Sequence, residues 1–182
     1  MTLEQKLRVL GPLDAYGFYG IGGGFSPRVR MGLNHLAESI KLSGKSVENF
    51  THGSWEKVAD AIIADHKAGR RKEPPSLYGH SQGCKSCALV AVKLASAGIQ
   101  VKYIGAIDPT LDQIPAITSN VQKIDQFWAT KDFVSFFRKL SRNKRGVVPV
   151  GTHRNSTIFH TPTGHVDAAN DASVHARILI NI

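Results

Sequence analysis

Ser81 lies in the stretch Ser76-Leu77-Tyr78-Gly79-His80-Ser81-Gln82-Gly83-Cys84, where a short apolar run meets a Gly-x-Ser-x-Gly pattern and then a helical one. A serine hydroxyl becomes a nucleophile only when it is held clear of the main chain and beside a base. A sharp strand-to-helix turn meets the first condition by fixing the serine in a strained conformation with its hydroxyl above the sheet edge. Gly79 and Gly83, two residues to either side, lack Cβ atoms and let strand and helix pass closely. The same five residues also occur in ordinary turns, so the flanks must decide. Upstream, Pro74-Pro75 breaks the chain, and Ser76 to Gly79 is short and partly apolar, as a buried central strand would be. Downstream, Gln82 to Ala97 has no proline, no glycine after Gly83, and a nearly continuous apolar run from Ala88 to Leu94, with Gly98 as its stop. These flanks predict a helix on a sheet, its positive dipole end aimed at Ser81, and make Ser81 the candidate nucleophile.

Such a serine needs a histidine to take its proton and an acid to orient the histidine. In a strand-turn-helix arrangement of this type the chain order is serine, acid, histidine, which excludes His35, His52 and His66. His80, next to Ser81, is expected to point away from it as a packing or supporting group, and His175 falls inside the final helix. His153, His160 and His165 remain. His165 is the expected base, because it follows the last strand in a Gly-His loop before the closing helix, whereas His160 ends the strand itself. For the acid, Asp108 follows the strand Val101 to Ile107 and Asp132 follows Val121 to Ala129. Asp108 is preferred, since its strand is clearer and its Asp-Pro step fixes an extended exit; Asp132 stays as the alternative. The glycine loop Gly22-Gly23-Gly24-Phe25 does not fit phosphate binding, having neither a Gly-Lys-Ser/Thr ending nor a dinucleotide spacing. Backbone N–H groups of Gln82 and of Gly23 and Gly24 are the expected oxyanion donors.

The elements that position these groups alternate between strand and helix. Met1 to Leu13 reads as a frayed lead-in or an edge strand. Ala15 to Ile21 reads as a strand, followed by a helix with Ser26 at its cap and Pro27 at its first position. Ser46 to Phe50 is a second strand, and Ser54 starts a helix carrying Trp55, Val58, Ala59 and Ile62 on one face. Ser156 to His160 is the last strand, and Asp171 to Ile180 a closing helix capped by Asn170 or Asp171. The alternation predicts an α/β fold with a mostly parallel central sheet and helices on both faces. A length of 182 residues suits one domain spanning 1–182, with no room for a large lid or cap domain.

Composition sets the remaining bounds. No apolar run reaches membrane-spanning length and no leader pattern opens the chain, so a cytoplasmic location is expected. Cys84 and Cys87 are the only cysteines; they open the helix after the serine and read as small packing residues, not as a redox pair or half a zinc site. A net charge of +9, bunched at Lys67, Arg70, Arg71 and Lys72 and again at Arg138, Lys139, Arg142, Lys144 and Arg145, favours anionic partners. Weak association with anionic surfaces is expected, but no nucleic-acid motif accompanies the charge.

With these residues in view, the chain from about Ala15 to Ile180 resembles the α/β-hydrolase superfamily, and within it the compact lipase, cutinase and thioesterase-like members. Gly79-His80-Ser81-Gln82-Gly83 resembles their nucleophile elbow, Ile107-Asp108-Pro109 the acid segment of the lipase branch, and Gly164-His165-Val166-Asp167 the histidine loop. The Gly22-Gly23-Gly24 match to the oxyanion loop is looser, and many larger members place the acid one strand later, which would select Asp132. The resemblance implies a serine hydrolase acting on a small-molecule carboxylic ester or thioester through an acyl-enzyme, with no metal or organic cofactor. Two rival expectations are a catalytically silent hydrolase-like fold that binds an anionic partner through its basic face, and an acyltransferase using the same triad.

Overall fold

The computed structural model describes residues 1–20, 26–109, 117, 119–131 and 155–182. Their core is a six-stranded parallel sheet in the order β2-β1-β3-β4-β5-β6. The strands are β1 (Ala15–Tyr19), β2 (Val47–Thr51), β3 (Ser76–His80), β4 (Tyr103–Ile107), β5 (Ile124–Ala129) and β6 (Ser156–Thr161). The helices are α1 (Leu3–Leu10), α2 (Pro27–Leu42), α3 (Trp55–Lys67), α4 (Gln82–Ser96) and α5 (Ala172–Asn181). The predicted α/β architecture with helices on both faces is therefore what the chain adopts. Among the described residues no helix is long and apolar enough to cross a membrane.

Strand alternation divides the core in two. Phe18, Leu77, Ile104 and Ala106 turn to one face and meet Val58 and Ile62 of α3 and Cys84, Cys87 and Leu94 of α4. Tyr78, Tyr103, Ile107 and Phe127 turn to the other and meet Leu33, Leu36 and Ile40 of α2 and Val174 and Ile178 of α5. Every residue of β3 and β4 is buried, which is why both read as unbroken short runs in the sequence. Burial of each large aliphatic side chain here contributes about 1.5–3 kcal/mol.

The N-terminal segment corrects the sequence reading: it is a helix, not an edge strand. Thr2 and Gln5 form a capping box, with the Gln5 N–H donating to Thr2 Oγ1 at 3.2 Å and the Thr2 N–H to Gln5 Oε1 at 2.7 Å. Leu7 then buries against α3. The helix caps also differ from expectation in detail. Ser26 and Ser54 stand at the starts of α2 and α3 without a side-chain capping bond, whereas Asp171 accepts from the Ser173 N–H at 2.8 Å. Val101 contributes only an isolated bridge to Val121, so β4 begins at Tyr103 and β5 at Ile124.

Candidate functional site

The site forms where β3 and β4 end. Between β3 and α4 the chain must reverse within one residue, and Ser81 takes φ 58° and ψ −121° to do it. That conformation is foreign to residues with a Cβ and costs about 1–3 kcal/mol. The turn is tight because backbones touch. A Cβ on Gly79 would lie 2.5 Å from the Gly83 carbonyl, and one on Gly83 would lie 2.0 Å from the Phe18 carbonyl oxygen. Strand β1, strand β3 and helix α4 thus meet on bare main chain, as the spacing of Gly79 and Gly83 predicted. Gly20, which the sequence reading passed over, is the third member of this contact: a Cβ there would lie 2.8 Å from Ser81 Cβ. The Ser81 N–H donates to the Ile107 carbonyl at 3.0 Å, tying the turn to the end of β4.

Asp108 follows directly on β4 and is the other non-glycine residue with positive φ among those described, at 43°. Its side chain is fully buried, so its charge must be met by donors. Oδ1 accepts from the Ala129 N–H at 2.8 Å, and Oδ2 lies 2.5 Å from His165 Nδ1. The Asp108 N–H donates to Phe127 O at 2.7 Å, so both main chain and side chain are anchored on β5. In neutral imidazole this contact puts the proton on Nδ1 and leaves the lone pair on Nε2. His165 itself sits on the loop after β6, where the Ala168 N–H donates to the Gly164 carbonyl at 2.9 Å and opens the short turn Asp167–Asn170.

The structure thus brings together Asp108 and His165, 57 residues apart, at the strand ends where Ser81 is held. Gln82 is the first residue of α4, with its N–H at the positive end of that helix. Gly23 and Gly24 lie outside the described residues, as do Asp132, His153 and the basic cluster from Arg138 to Arg145. His160 stays on its strand with its ring edge-on to Trp128 at 6.0 Å, and His175 bonds the Ala169 carbonyl at 2.7 Å.

His80 is the packing or supporting group that the sequence predicts, and what it supports is His165: it is buried, its Nε2 donates to the His165 carbonyl at 2.7 Å, and the two rings pack with centroids 4.6 Å apart. Burial, and secondarily the neighbouring His165, pull its pKa down to about 4. The two cysteines are buried, as expected of packing residues: Cys84 Sγ donates to the Gly79 carbonyl at 3.1 Å, and burial pushes the Cys87 thiol up, away from thiolate chemistry. A cleft of about 700 Å3 between α1 and α3 touches none of these groups. Within its lining Lys57 pairs with Glu4 at 3.1 Å and Arg70 with Asp65 at 2.6 Å, and among the described residues it holds no Ser-His-Asp grouping, so the chemistry at the strand ends, and not cleft size, marks the candidate site.

No protein-family model matches the sequence, and no curated protein matches it significantly. Solved structures do. A protein of Xanthomonas campestris pv. campestris assigned to the alpha/beta hydrolase superfamily is similar at a TM-score of 0.57 and 15% identity, over 94% of this chain and 100% of that one. The esterase domain of a Rhodothermus marinus protein gives 0.54 and 15%, over 93% and 84%. Human thioesterase 2 gives 0.53 and 14%, over 91% and 94%. At such identities the likeness speaks for architecture alone, and the fold of this chain is that of the α/β-hydrolase superfamily.

Proposed function

We propose that the chain is a serine hydrolase that cleaves a carboxylic ester or thioester through an acyl-enzyme. The observation that carries this reading is the 2.5 Å contact between His165 Nδ1 and the buried Asp108 carboxylate, at the strand ends where Ser81 is held at positive φ. Ser81 Oγ attacks the acyl carbon while His165 Nε2 takes its proton, and Asp108 stabilises the imidazolium that results. The oxyanion meets the Gln82 N–H at the start of α4, with Gly23 or Gly24 as the second donor. His165 then returns its proton to the departing alcohol or thiol, and water repeats the sequence to free the acid and Ser81. An esterase domain and a thioesterase among the structural neighbours support an acyl carbon as the point of attack.

Intact-mass detection of a fluorophosphonate adduct tests the proposal. The expected result is one adduct on the native chain, absent in Ser81→Ala and slowed in His165→Ala and Asp108→Asn, with Asp132→Asn reacting at the native rate. A folded native chain that takes no adduct refutes it.

A further inference from the structure

We propose that His80 is a positioning residue that registers the base to the nucleophile, holding the His165 main chain by a hydrogen bond and its ring by a tilted ring contact. The inference rests on the hydrolase reading above and adds a group to it. Ser81 and His80 are consecutive, so whatever His80 grips is placed relative to the nucleophile through a single peptide unit. What it grips is the backbone of the residue that must accept the serine proton, 85 positions later in the chain. His80 can do this because β3 is flanked by β1 and β4 and wholly buried, so its end is a fixed point of the sheet. The loop bearing His165, by contrast, leaves β6, which among the described residues is an edge strand paired with β5.

Two further restraints on His165 act at other atoms. Asp108 fixes the ring through Nδ1, and the Ala168 N–H shapes the loop through the Gly164 carbonyl, but neither touches the His165 carbonyl. The His80 Nε2–H reaches it, at 2.7 Å, while the two rings meet at a 40° tilt with centroids 4.6 Å apart. His80 keeps its neutral form in this buried place, so it donates without setting a second positive charge against the imidazolium.

The test compares fluorophosphonate labelling rates of the native chain with His80→Gln, whose amide N–H reaches as far as Nε2, His80→Asn, whose amide falls short, and His80→Phe, which keeps the ring without the donor. Loss of the donor lets the base drift relative to Ser81, and a displacement of that kind slows labelling by about 10- to 100-fold. The expected order is native, then His80→Gln close behind, with His80→Asn and His80→Phe slow. With p-nitrophenyl acetate the loss falls on kcat, KM staying within about twofold. Where His80→Phe fails to fold, the contrast between His80→Gln and His80→Asn carries the same question. Equal labelling in all four proteins, or equal loss in His80→Gln and His80→Asn, overturns the role of the donor. A native chain that takes no adduct overturns the hydrolase reading itself, and the role of His80 with it.

Discussion

Acidification should weaken this protein through His80. Burial of the imidazole lowers its pKa from 6.5 to about 4, with His165 adding to the shift and Asp108 opposing it. The folded chain therefore binds fewer protons at His80 than the unfolded chain does. Stability from this group is complete above 6.5, falls as the pH drops, and levels off below about 4. Its full extent is about 3 kcal/mol, of which about 2 kcal/mol is already lost at about pH 5. For a chain of this length that is a fall of roughly 4–8 °C in Tm. The assay is thermal unfolding of the native chain and of His80→Gln between about pH 7.5 and pH 5. His80→Gln keeps the donor to the His165 carbonyl but cannot titrate, and His175, whose pKa burial also lowers, contributes equally to both. The native Tm should fall by that extra margin. Parallel curves refute the reasoning, as would an NMR titration in which the His80 ring takes up its proton near 6.5.

Other substitutions probe separate parts of the molecule. Asp108→Asn removes the charge that holds His165 and should slow adduct formation by about 1000-fold or more with little change in fold, as read by labelling rate beside circular dichroism. Gly83→Ala sets a methyl against the Phe18 carbonyl oxygen at 2.0 Å and should cost about 3 kcal/mol in urea unfolding, with loss of labelling because the Ser81 turn cannot close. Asn120→Ala removes the amide that donates at 3.0 Å to both the Ala91 and Ile99 carbonyls, and should cost about 1–3 kcal/mol in urea while the labelling rate holds. Thr2→Ala breaks the capping box of α1 and should cost about 1 kcal/mol by the same measurement, again without effect on labelling.

Much of this arrangement was legible in the residues because it depends on local rules. Gly79 and Gly83 announce the backbone contact around Ser81, and the apolar runs of β3 and β4 announce their burial on both faces. The clarity of its strand favours Asp108 over Asp132 in the sequence, and the contact of Asp108 with His165 is in the structure, while Asp132 lies outside the described residues. What escaped is of two kinds. The α1 helix was hidden by brevity, although Thr2-x-x-Gln5 with Leu3, Leu7 and Leu10 at helical spacing carried a signal that a capping-box reading would catch. The contacts of His80 and Gly20 were hidden for a different reason. Each is made to a partner distant in sequence, and no periodicity or local propensity encodes which strand ends will be neighbours.

The edge position of β6 bears on how activity would return during refolding. Pairing among β1, β3 and β4 creates the Ser81 turn, but His165 arrives only once β6 has joined β5 and the following turn has docked on α2, where Asn170 Nδ2 donates to the Arg28 carbonyl at 3.1 Å. The contacts that complete the site are thus among the longest-range in the chain, and contacts of that order form slowly. Labelling by a fluorophosphonate would then lag behind recovery of the buried core, making the serine a clock for the attachment of the outermost strand.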